Sequence, residues 1–373
     1  MAPRMPPRII SHIGKLPSVT PFVGPEALER QRGAKFSARI GANESVFGPS
    51  PRVVEAIAKA AADSWMYGDP EQHDLKAAIA RHHGVGIDNV AVDSGIDALF
   101  GVIVRLTVGH GDTVVTSLGG YPTFIFHVDG IGGRLVRVPY DADGREDWPA
   151  LLAAARQEDA RLLYFANPDN PMGSWWGASD VQKLIDGVPD GCLLVLDEAY
   201  SDTAPADAIP PLDVANPNVL RFRTFSKAYG MAGVRVGYCL GHPSVVGHFD
   251  KIRNHFDVPR MSQAGAMAAL ADQAYLKDVV ARISSARTRI GEIAAANGLK
   301  ALPSATNFVA VDCGRDGAFA RHLLSELAAR GLFVRMPGVA PLDRCIRISA
   351  GTDADLDLLS QMLPQALAAA DNK

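Results

Sequence analysis

The chain has 373 residues, of which 47% are hydrophobic and 21% are charged, and its net charge at pH 7 is −4. This length favours two domains, and the composition is typical of a soluble globular protein. Because acidic and basic residues are mixed along the chain, no basic surface for nucleic acid is predicted.

The sequence also favours one cellular location. No uncharged apolar stretch approaches the ~20 residues of a membrane span, and the Pro- and Arg-rich residues 1–8 lack the apolar core of a secretory signal. The four cysteines are scattered along the chain and form no C-x-x-C pair, which favours reduced thiols. They are Cys192, Cys239, Cys313 and Cys345. We therefore expect a cytoplasmic protein without a membrane partner.

The first 50 residues are rich in proline and glycine, which predicts an irregular arm with a short strand within 34–42. Helices are predicted at 51–64 and 75–83. From Asn89 onward, short apolar runs alternate with turns and helical segments. The predicted strands are 90–92, 113–116, 134–138, 162–165, 193–196, 219–224 and 234–240, and the predicted helices are 96–106, 124–130, 148–156 and 178–186. This alternation predicts an α/β fold with a mostly parallel central sheet and helices on both faces.

Beyond about Pro259 the chain becomes Ala-rich and helical, through 264–270 toward Ala296. A smaller α+β unit is predicted to follow, with strands 308–311, 333–335 and 345–349 and helices 318–330 and 356–369. The predicted organisation is an N-terminal arm joining the small domain (1–50), a large α/β domain (51–258), and a linking helix with the small C-terminal domain (259–373).

Two of the predicted strands end abruptly in polar groups. Asp197 and Tyr200 follow the run 193–196, and Lys227 follows the run 219–224. The carboxyl ends of parallel strands face one crevice, where ligands bind. A lysine that forms an imine, with an acid against a pyridinium nitrogen, is the arrangement that pyridoxal phosphate requires. Taken alone, Asp197 could be a helix N-cap and Lys227 a solvated turn residue.

Groups that suit a phosphate surround this lysine. Thr224, Ser226 and Arg235 supply two hydroxyls and a guanidinium, and a guanidinium can donate two hydrogen bonds at once. The turn Gly95-Ile96-Asp97 opens a predicted helix, whose free N–H groups bind phosphate. No P-loop motif and no G-x-G-x-x-G after the first strand is present, so a nucleotide site is not supported.

Four further residues are candidates for ligand contacts. Asn170, in a turn between two prolines, could donate to the phenolic oxygen of the cofactor beside Tyr200. Phe124 could cover a ring face or belong to the core. Arg347 and Arg335, on apolar strands, could capture a substrate carboxylate or pair with surface acids. No metal site is predicted.

In combination, these residues resemble the fold-type I pyridoxal-phosphate aminotransferases of class I/II, and most closely the histidinol-phosphate aminotransferases and their relatives. The resemblance extends from about residue 20 to the end of the chain. The matching runs are 41–51, 167–173, 197–200, 223–237 and 347–352.

The resemblance implies a role for each matching position. Lys227 would carry pyridoxal 5'-phosphate, Asp197 would face the pyridine nitrogen, and Tyr200 and Asn170 would hold the phenolic oxygen. The phosphate would lie against Thr224, Ser226, Arg235 and the Gly95–Asp97 turn. Tyr67 matches a tyrosine that reaches the phosphate of the neighbouring subunit, which implies a homodimer with shared active sites.

The resemblance also places Arg347, Arg335, Asn43 and Phe22 at the substrate, and it implies a small-molecule amino donor with a 2-oxo acid, 2-oxoglutarate, as acceptor. Phe22 stands where histidinol-phosphate enzymes commonly have tyrosine, and Met172 where the family usually has threonine. Histidinol phosphate, an aromatic amino acid or another amino acid therefore remain open as donors. A threonine-phosphate-decarboxylase-like activity and a non-catalytic protein of the same fold are the alternatives.

Overall fold

The computed structural model describes residues 7–18 and 22–371. The start of the Pro- and Arg-rich segment, residues 1–6, and residues 19–21 beside Phe22 lie outside the described residues. The arm contains a helix that we did not predict, α1 (Pro25–Arg32), with proline in its first turn and a left-handed Gly33 after its end. Strand β1 (Ala38–Arg39) lies within the predicted stretch 34–42.

The large domain is built around a seven-stranded sheet. Its strands are β2 (Val90–Asp93), β3 (Thr113–Ser117), β4 (Arg134–Val138), β5 (Leu162–Ala166), β6 (Leu193–Asp197), β7 (Val219–Thr224) and β8 (Gly237–Gly241), in the spatial order β2-β8-β7-β6-β5-β3-β4. Only β8 runs against its neighbours in this sheet. The helices of this part are α2 (Pro51–Ala61), α3 (His73–His83), α4 (Ile96–Thr107), α5 (Pro122–Ile131), α6 (Trp148–Gln157), α7 (Ala178–Asp186) and α8 (Pro243–Val246). The predicted α/β fold is confirmed.

Helices cover both faces of this sheet, which explains why its strands are continuous apolar runs. In β5, Leu162 and Tyr164 pack into a core with residues of α4 and α5. The intervening Leu163 and Phe165 pack into a second core with residues of α6 and α7. Successive side chains of a strand point to opposite faces, so every position of β5 is buried.

The C-terminal part contains α9 (Arg260–Ala271), α10 (Gln273–Ala296), β9 (Lys300–Ala301), β10 (Phe308–Asp312), α11 (Gly317–Ala329), β11 (Leu332–Phe333), β12 (Cys345–Ser349) and α12 (Asp353–Asp371). Strands β12, β10 and β9 form an antiparallel sheet in that order. Strand β1 of the arm pairs with β11 in parallel, and Ala38 and Ile40 lie in the same core as α10, α11 and α12. The arm is therefore packed with the C-terminal part.

Two predicted strands differ from the structure by two or more residues at one end. The predicted strand 234–240 begins only at Gly237, because Arg235 has a left-handed backbone (φ 57°) that interrupts the extended chain. The predicted strand 333–335 is β11, one residue earlier, and Arg335 forms an isolated bridge to Arg347. Over the described residues, no helix combines the length and the apolar character that crossing a bilayer needs.

Candidate active site

A cavity of about 120 Å³ lies at the carboxyl ends of β5, β6 and β7. These three strands are parallel neighbours, so their polar C-terminal residues share one edge. The cavity is lined by many of the predicted site residues: Ile96, Asp97, Asn170, Asp197, Tyr200, Thr224, Ser226, Lys227 and Arg235. Gly95 directly precedes this set, at the start of α4.

Asp197 ends β6 and is almost completely buried. Its carboxylate accepts hydrogen bonds from the hydroxyl of Tyr164 (2.6 Å) and from the backbone N–H of Ala199 (2.9 Å). Burial raises the pKa of Asp197 to about 6, although both hydrogen bonds favour the ionised form. A cationic ligand in the cavity would stabilise this carboxylate further.

Lys227 follows β7, and its Nζ donates a hydrogen bond to the carbonyl oxygen of Asn43 (3.3 Å). Burial, followed by the positive charge of Arg347, lowers the pKa of Lys227 to about 8. A substantial fraction of the amine is therefore neutral near pH 8, as a nucleophile or a base must be. Tyr200 contributes its ring, whose centroid lies 5.6 Å from Nζ.

Anion-binding groups form one side of the cavity. The Thr224 hydroxyl donates to the Ser226 hydroxyl (3.0 Å), which also accepts from the Arg235 guanidinium (3.4 Å). Arg235 reaches across to α4, where it donates to the carbonyl oxygen of Ser94 (3.4 Å). Gly95 has φ 93°, and a Cβ atom there would lie 2.3 Å from the Arg235 Nη2 atom. Only glycine lets the α4 N-terminus approach this guanidinium so closely.

A second cavity, of about 330 Å³, shares Asn170 with the first. Arg347 lines it, and one Nη atom of Arg347 donates to the Asn170 side-chain oxygen (2.5 Å). Burial lowers the pKa of Arg347 to about 10, and its Nε is buried without a partner. Arg335 also lines this cavity; it donates to the Val23 carbonyl oxygen (2.8 Å) and lies over the ring of Phe22 (5.3 Å). Two cations therefore face one cavity.

Besides Gly95, three predicted site residues line neither cavity. Phe124 is fully buried in the core, stacked on Tyr164 (ring centroids 4.5 Å apart), and Tyr121 lines the cavity in its place. Asn43 lines neither cavity, because its side chain donates to the Tyr200 hydroxyl (2.9 Å) and its carbonyl oxygen accepts from Lys227. Tyr67 is 79% exposed at the surface, with its ring against Phe256 (4.8 Å).

Sequence reasoning also missed residues that touch this site. Tyr164 is a polar interruption in the apolar strand beside Asp197, which is the signal that could have found it. Tyr121 immediately precedes α5 and could have been found as the last residue before a helix that begins with proline. Within the described part of the chain, no group of three or more His, Cys, Asp or Glu side chains could hold a metal ion.

Comparisons with known proteins agree with this geometry. The family "Aminotransferase class I and II" matches residues 38–363. Histidinol-phosphate aminotransferase 1 of Mesorhizobium japonicum is 36% identical over 351 residues, which cover 92% of this chain and 93% of the relative. The aromatic amino acid aminotransferase of Rhodococcus jostii is also 36% identical, over 322 residues that cover 86% of this chain and 87% of the relative.

A solved structure is more similar still. Histidinol-phosphate aminotransferase from Sinorhizobium meliloti, crystallised in complex with pyridoxal-5'-phosphate, is 58% identical, with a TM-score of 0.94, and the match covers 97% of this chain and 98% of that one. The fold, the lysine–acid cavity and these matches define a transferase of amino groups. The chain belongs to the class I and II aminotransferase family.

Proposed function

We propose that this protein is a pyridoxal-phosphate-dependent aminotransferase that takes the amino group of histidinol phosphate and passes it to 2-oxoglutarate. The observation that carries the proposal is the 120 Å³ cavity, in which Lys227 and Asp197 meet the hydroxyl and guanidinium groups around Arg235. The acidic side of the cavity, at Asp197, suits a basic ring nitrogen, and the cationic side, at Arg235, suits a phosphate.

Three observations support the fit of this cofactor to the site. Asp197 is a buried carboxylate whose raised pKa calls for a cationic partner, such as a protonated pyridine nitrogen. Gly95 leaves space that a Cβ would fill between α4 and Arg235. The hydroxyls of Thr224 and Ser226 stand beside the same guanidinium. Lys227 would hold the cofactor covalently, and Tyr121, which lines the same cavity, would contact its ring.

Pyridoxal phosphate, when bound, supplies a ring that withdraws the negative charge left on the substrate α-carbon after its proton is removed. Lys227 is the group that takes this proton and returns it, because its amine titrates near neutral pH inside the cavity. Asp197 would keep a positive charge at the ring nitrogen. Tyr200 and Asn170 both line the 120 Å³ cavity, where they would orient the phenolic side of the ring.

The substrate proposal rests on Arg347 and Arg335. Both line the 330 Å³ cavity, and the partnerless Nε of Arg347 can donate to an anion. Two guanidinium groups match an acceptor with two carboxylates and a donor with a phosphate. The same cavity has an apolar wall that includes Phe22, Phe333 and Met336. This wall favours an aromatic amino acid as the second candidate donor, in agreement with the activity named for the R. jostii relative.

A panel of donors tests both candidates. With 2-oxoglutarate as acceptor, we expect histidinol phosphate to give the highest kcat/KM, above phenylalanine, tyrosine and leucine. A preference for phenylalanine or tyrosine would support the second candidate, and release of carbon dioxide without an oxo product would refute an aminotransferase. In Lys227→Ala, we expect no covalently held cofactor and no turnover; a variant that keeps either would refute the role of this lysine.

A homodimer with shared active sites is part of the proposal. Trp65, Tyr67 and Phe256 are exposed aromatic residues (81%, 79% and 53%), and exposed apolar clusters of this kind mark interfaces. If Tyr67 serves the partner's site, mixing inactive Lys227→Ala subunits with impaired Tyr67→Ala subunits restores activity, because hybrid dimers contain one intact site. No gain on mixing would contradict shared sites.

A cytoplasmic location is also part of the proposal. It is supported by the four cysteines, which are buried free thiols of the kind found in reducing compartments.

A further inference from the structure

The carbonyl oxygen of Asn43 is the acceptor that the amine of Lys227 uses, at 3.3 Å. The same oxygen accepts a second hydrogen bond, from the side-chain amide of Asn307, at 2.9 Å. Asn307 lies immediately before β10 in the C-terminal part of the chain, whereas Lys227 follows β7 of the large domain. One backbone oxygen thus joins the catalytic lysine to the small domain.

We propose that Asn307 is a positioning residue for the transfer reaction, because it holds the Asn43 carbonyl where the Lys227 amine needs it. This inference rests on the proposed function of Lys227. Asn307 lines neither cavity, so it acts only through Asn43.

The backbone of Asn43 needs such support. Asn43 has φ 56°, a left-handed conformation that asparagine tolerates better than most residues with a side chain but that still costs energy, which surrounding contacts offset. Ser349 supplies one contact, since its hydroxyl accepts from the Asn43 N–H (3.0 Å). Asn307 supplies the other at the carbonyl. Ile40, three residues before Asn43, is also bound to β12, because the N–H of Ser349 in that strand donates to the Ile40 carbonyl oxygen (2.7 Å).

The backbone of Asn307 is anchored beside β12. Asn307 is 1% exposed, and its backbone carbonyl oxygen accepts from the Ala350 N–H (2.8 Å), directly after that strand. Its side-chain oxygen has no partner, so the bond from the side-chain amide to Asn43 is the one that orients this side chain. A buried amide that donates to a backbone oxygen loses that bond without replacement by water when it is truncated. Because reacting groups must lie within a fraction of an ångström of their productive positions, a shift of Asn43 reaches Lys227 directly.

Asn43 also contacts Tyr200, whose hydroxyl accepts a hydrogen bond from the Asn43 side-chain amide (2.9 Å). Asn43→Gly distinguishes this contact from the one to Lys227. Glycine keeps the left-handed backbone and the carbonyl oxygen but removes the donor to Tyr200. Asn307→Ala removes the support of the carbonyl and leaves the Asn43 side chain in place.

The test compares Asn307→Ala with Asn89→Ala as a matched control. Asn89 is also buried and donates to a backbone oxygen at 2.9 Å, that of Gly241, but it lies on the far side of the large domain, before β2. Both variants are expected to melt at lower temperature than the wild type. In single-turnover experiments with saturating amino donor, Asn307→Ala is expected to react about tenfold more slowly, with little change in donor affinity.

A second readout does not need the cofactor. Competitive acetylation of the full-length, cofactor-free chain, followed by mass spectrometry across pH, gives the pKa of the Lys227 amine. Without a fixed acceptor the protonated amine is less stable, so the pKa of Lys227 is expected to fall in Asn307→Ala and to stay at the wild-type value in Asn89→Ala. In Asn43→Gly the carbonyl remains, and the pKa of Lys227 is expected to be unchanged.

The proposal is overturned if Asn307→Ala matches Asn89→Ala in either the single-turnover rate or the pKa of Lys227. This outcome differs from a failure of the proposed function, in which the wild-type protein itself transfers no amino group from any donor.

Discussion

Tyr164 is the residue whose removal should change the pH dependence of the enzyme most directly. Its hydroxyl donates to the Asp197 carboxylate at 2.6 Å, and both side chains are buried. Tyr164→Phe removes this donor but keeps the aromatic ring, which stacks on Phe124 at 4.5 Å. The substitution therefore alters the electrostatics of Asp197 without opening a cavity.

The size of the effect follows from the burial of this pair. A hydrogen bond to a charged group contributes about 1.5–3 kcal/mol, which corresponds to a rise of about 1–2 units in the pKa of Asp197. The pKa of Asp197 is about 6 in the structure. The ionised fraction at pH 7 would then fall from about nine-tenths to between about one-half and one-tenth.

Because Asp197 must be ionised to hold a positive charge at the ring nitrogen, the affinity of the cofactor-free Tyr164→Phe protein for pyridoxal phosphate is expected to fall about two- to tenfold at pH 7 and to recover toward pH 9. The measurement is the dissociation constant of pyridoxal phosphate from the cofactor-free protein, followed from pH 6 to pH 9.5. Tyr238→Phe is the control, since it removes another buried hydroxyl of the sheet, one that contacts His83. An acidic limb that stays at the wild-type pH, or moves to lower pH, would refute the reasoning.

Three further substitutions have expected outcomes. Glu198→Gln leaves the buried Arg221 and the half-buried Arg223 without their carboxylate, and it should lower the free energy of unfolding by about 3–5 kcal/mol in urea titrations. Glu158→Gln, in a more exposed ion pair, should lower it by less than about 1 kcal/mol, and equal losses would contradict this. Gly95→Ala should weaken cofactor binding about tenfold in fluorescence titrations, while Gly191→Ala, with a similar φ but open space, should affect stability alone. Asp197→Asn should raise the free energy of unfolding of the cofactor-free protein at pH 7 by at most about 3 kcal/mol. Burial raises the pKa of Asp197 from 3.8 to about 6, so the folded protein loses stability as the pH rises from 3.8 to about 6 and this buried acid ionises. The stability gained in Asp197→Asn should disappear near pH 4, and a gain that does not depend on pH would contradict this explanation.

Much of the fold was predictable because the large sheet is covered on both faces. Buried parallel strands such as β6 are apolar along most of their length, so β6 appears in the sequence as a short apolar run that ends in polar residues. The position of a polar residue at the end of such a run then places it at the ligand-binding edge. Asp197 and Lys227 were located in this way.

The features that the sequence left open or missed have separate physical reasons. Phe124 and Tyr121 are three residues apart, and the direction in which each ring points depends on how α5 packs against the sheet. Arg235 interrupts the predicted strand because its guanidinium is turned toward Ser226 and α4. Helix α1 carries recognisable end signals, proline at its start and glycine after its end, but these were outweighed by the irregular composition around them.

By itself, the sequence determined the α/β class, the edge of the sheet where ligands bind, and the acid, lysine and phosphate-binding groups, because these depend on local apolar patterns and on residue type. The tertiary structure alone decided which groups meet. Asn43 lies behind Tyr200 and Lys227 rather than at the substrate, Tyr164 holds Asp197, and Asn307 reaches Asn43 from 264 positions further along the chain. Such contacts join segments that are distant in sequence, and their distances are set by the packing of the arm and the small domain against the large sheet.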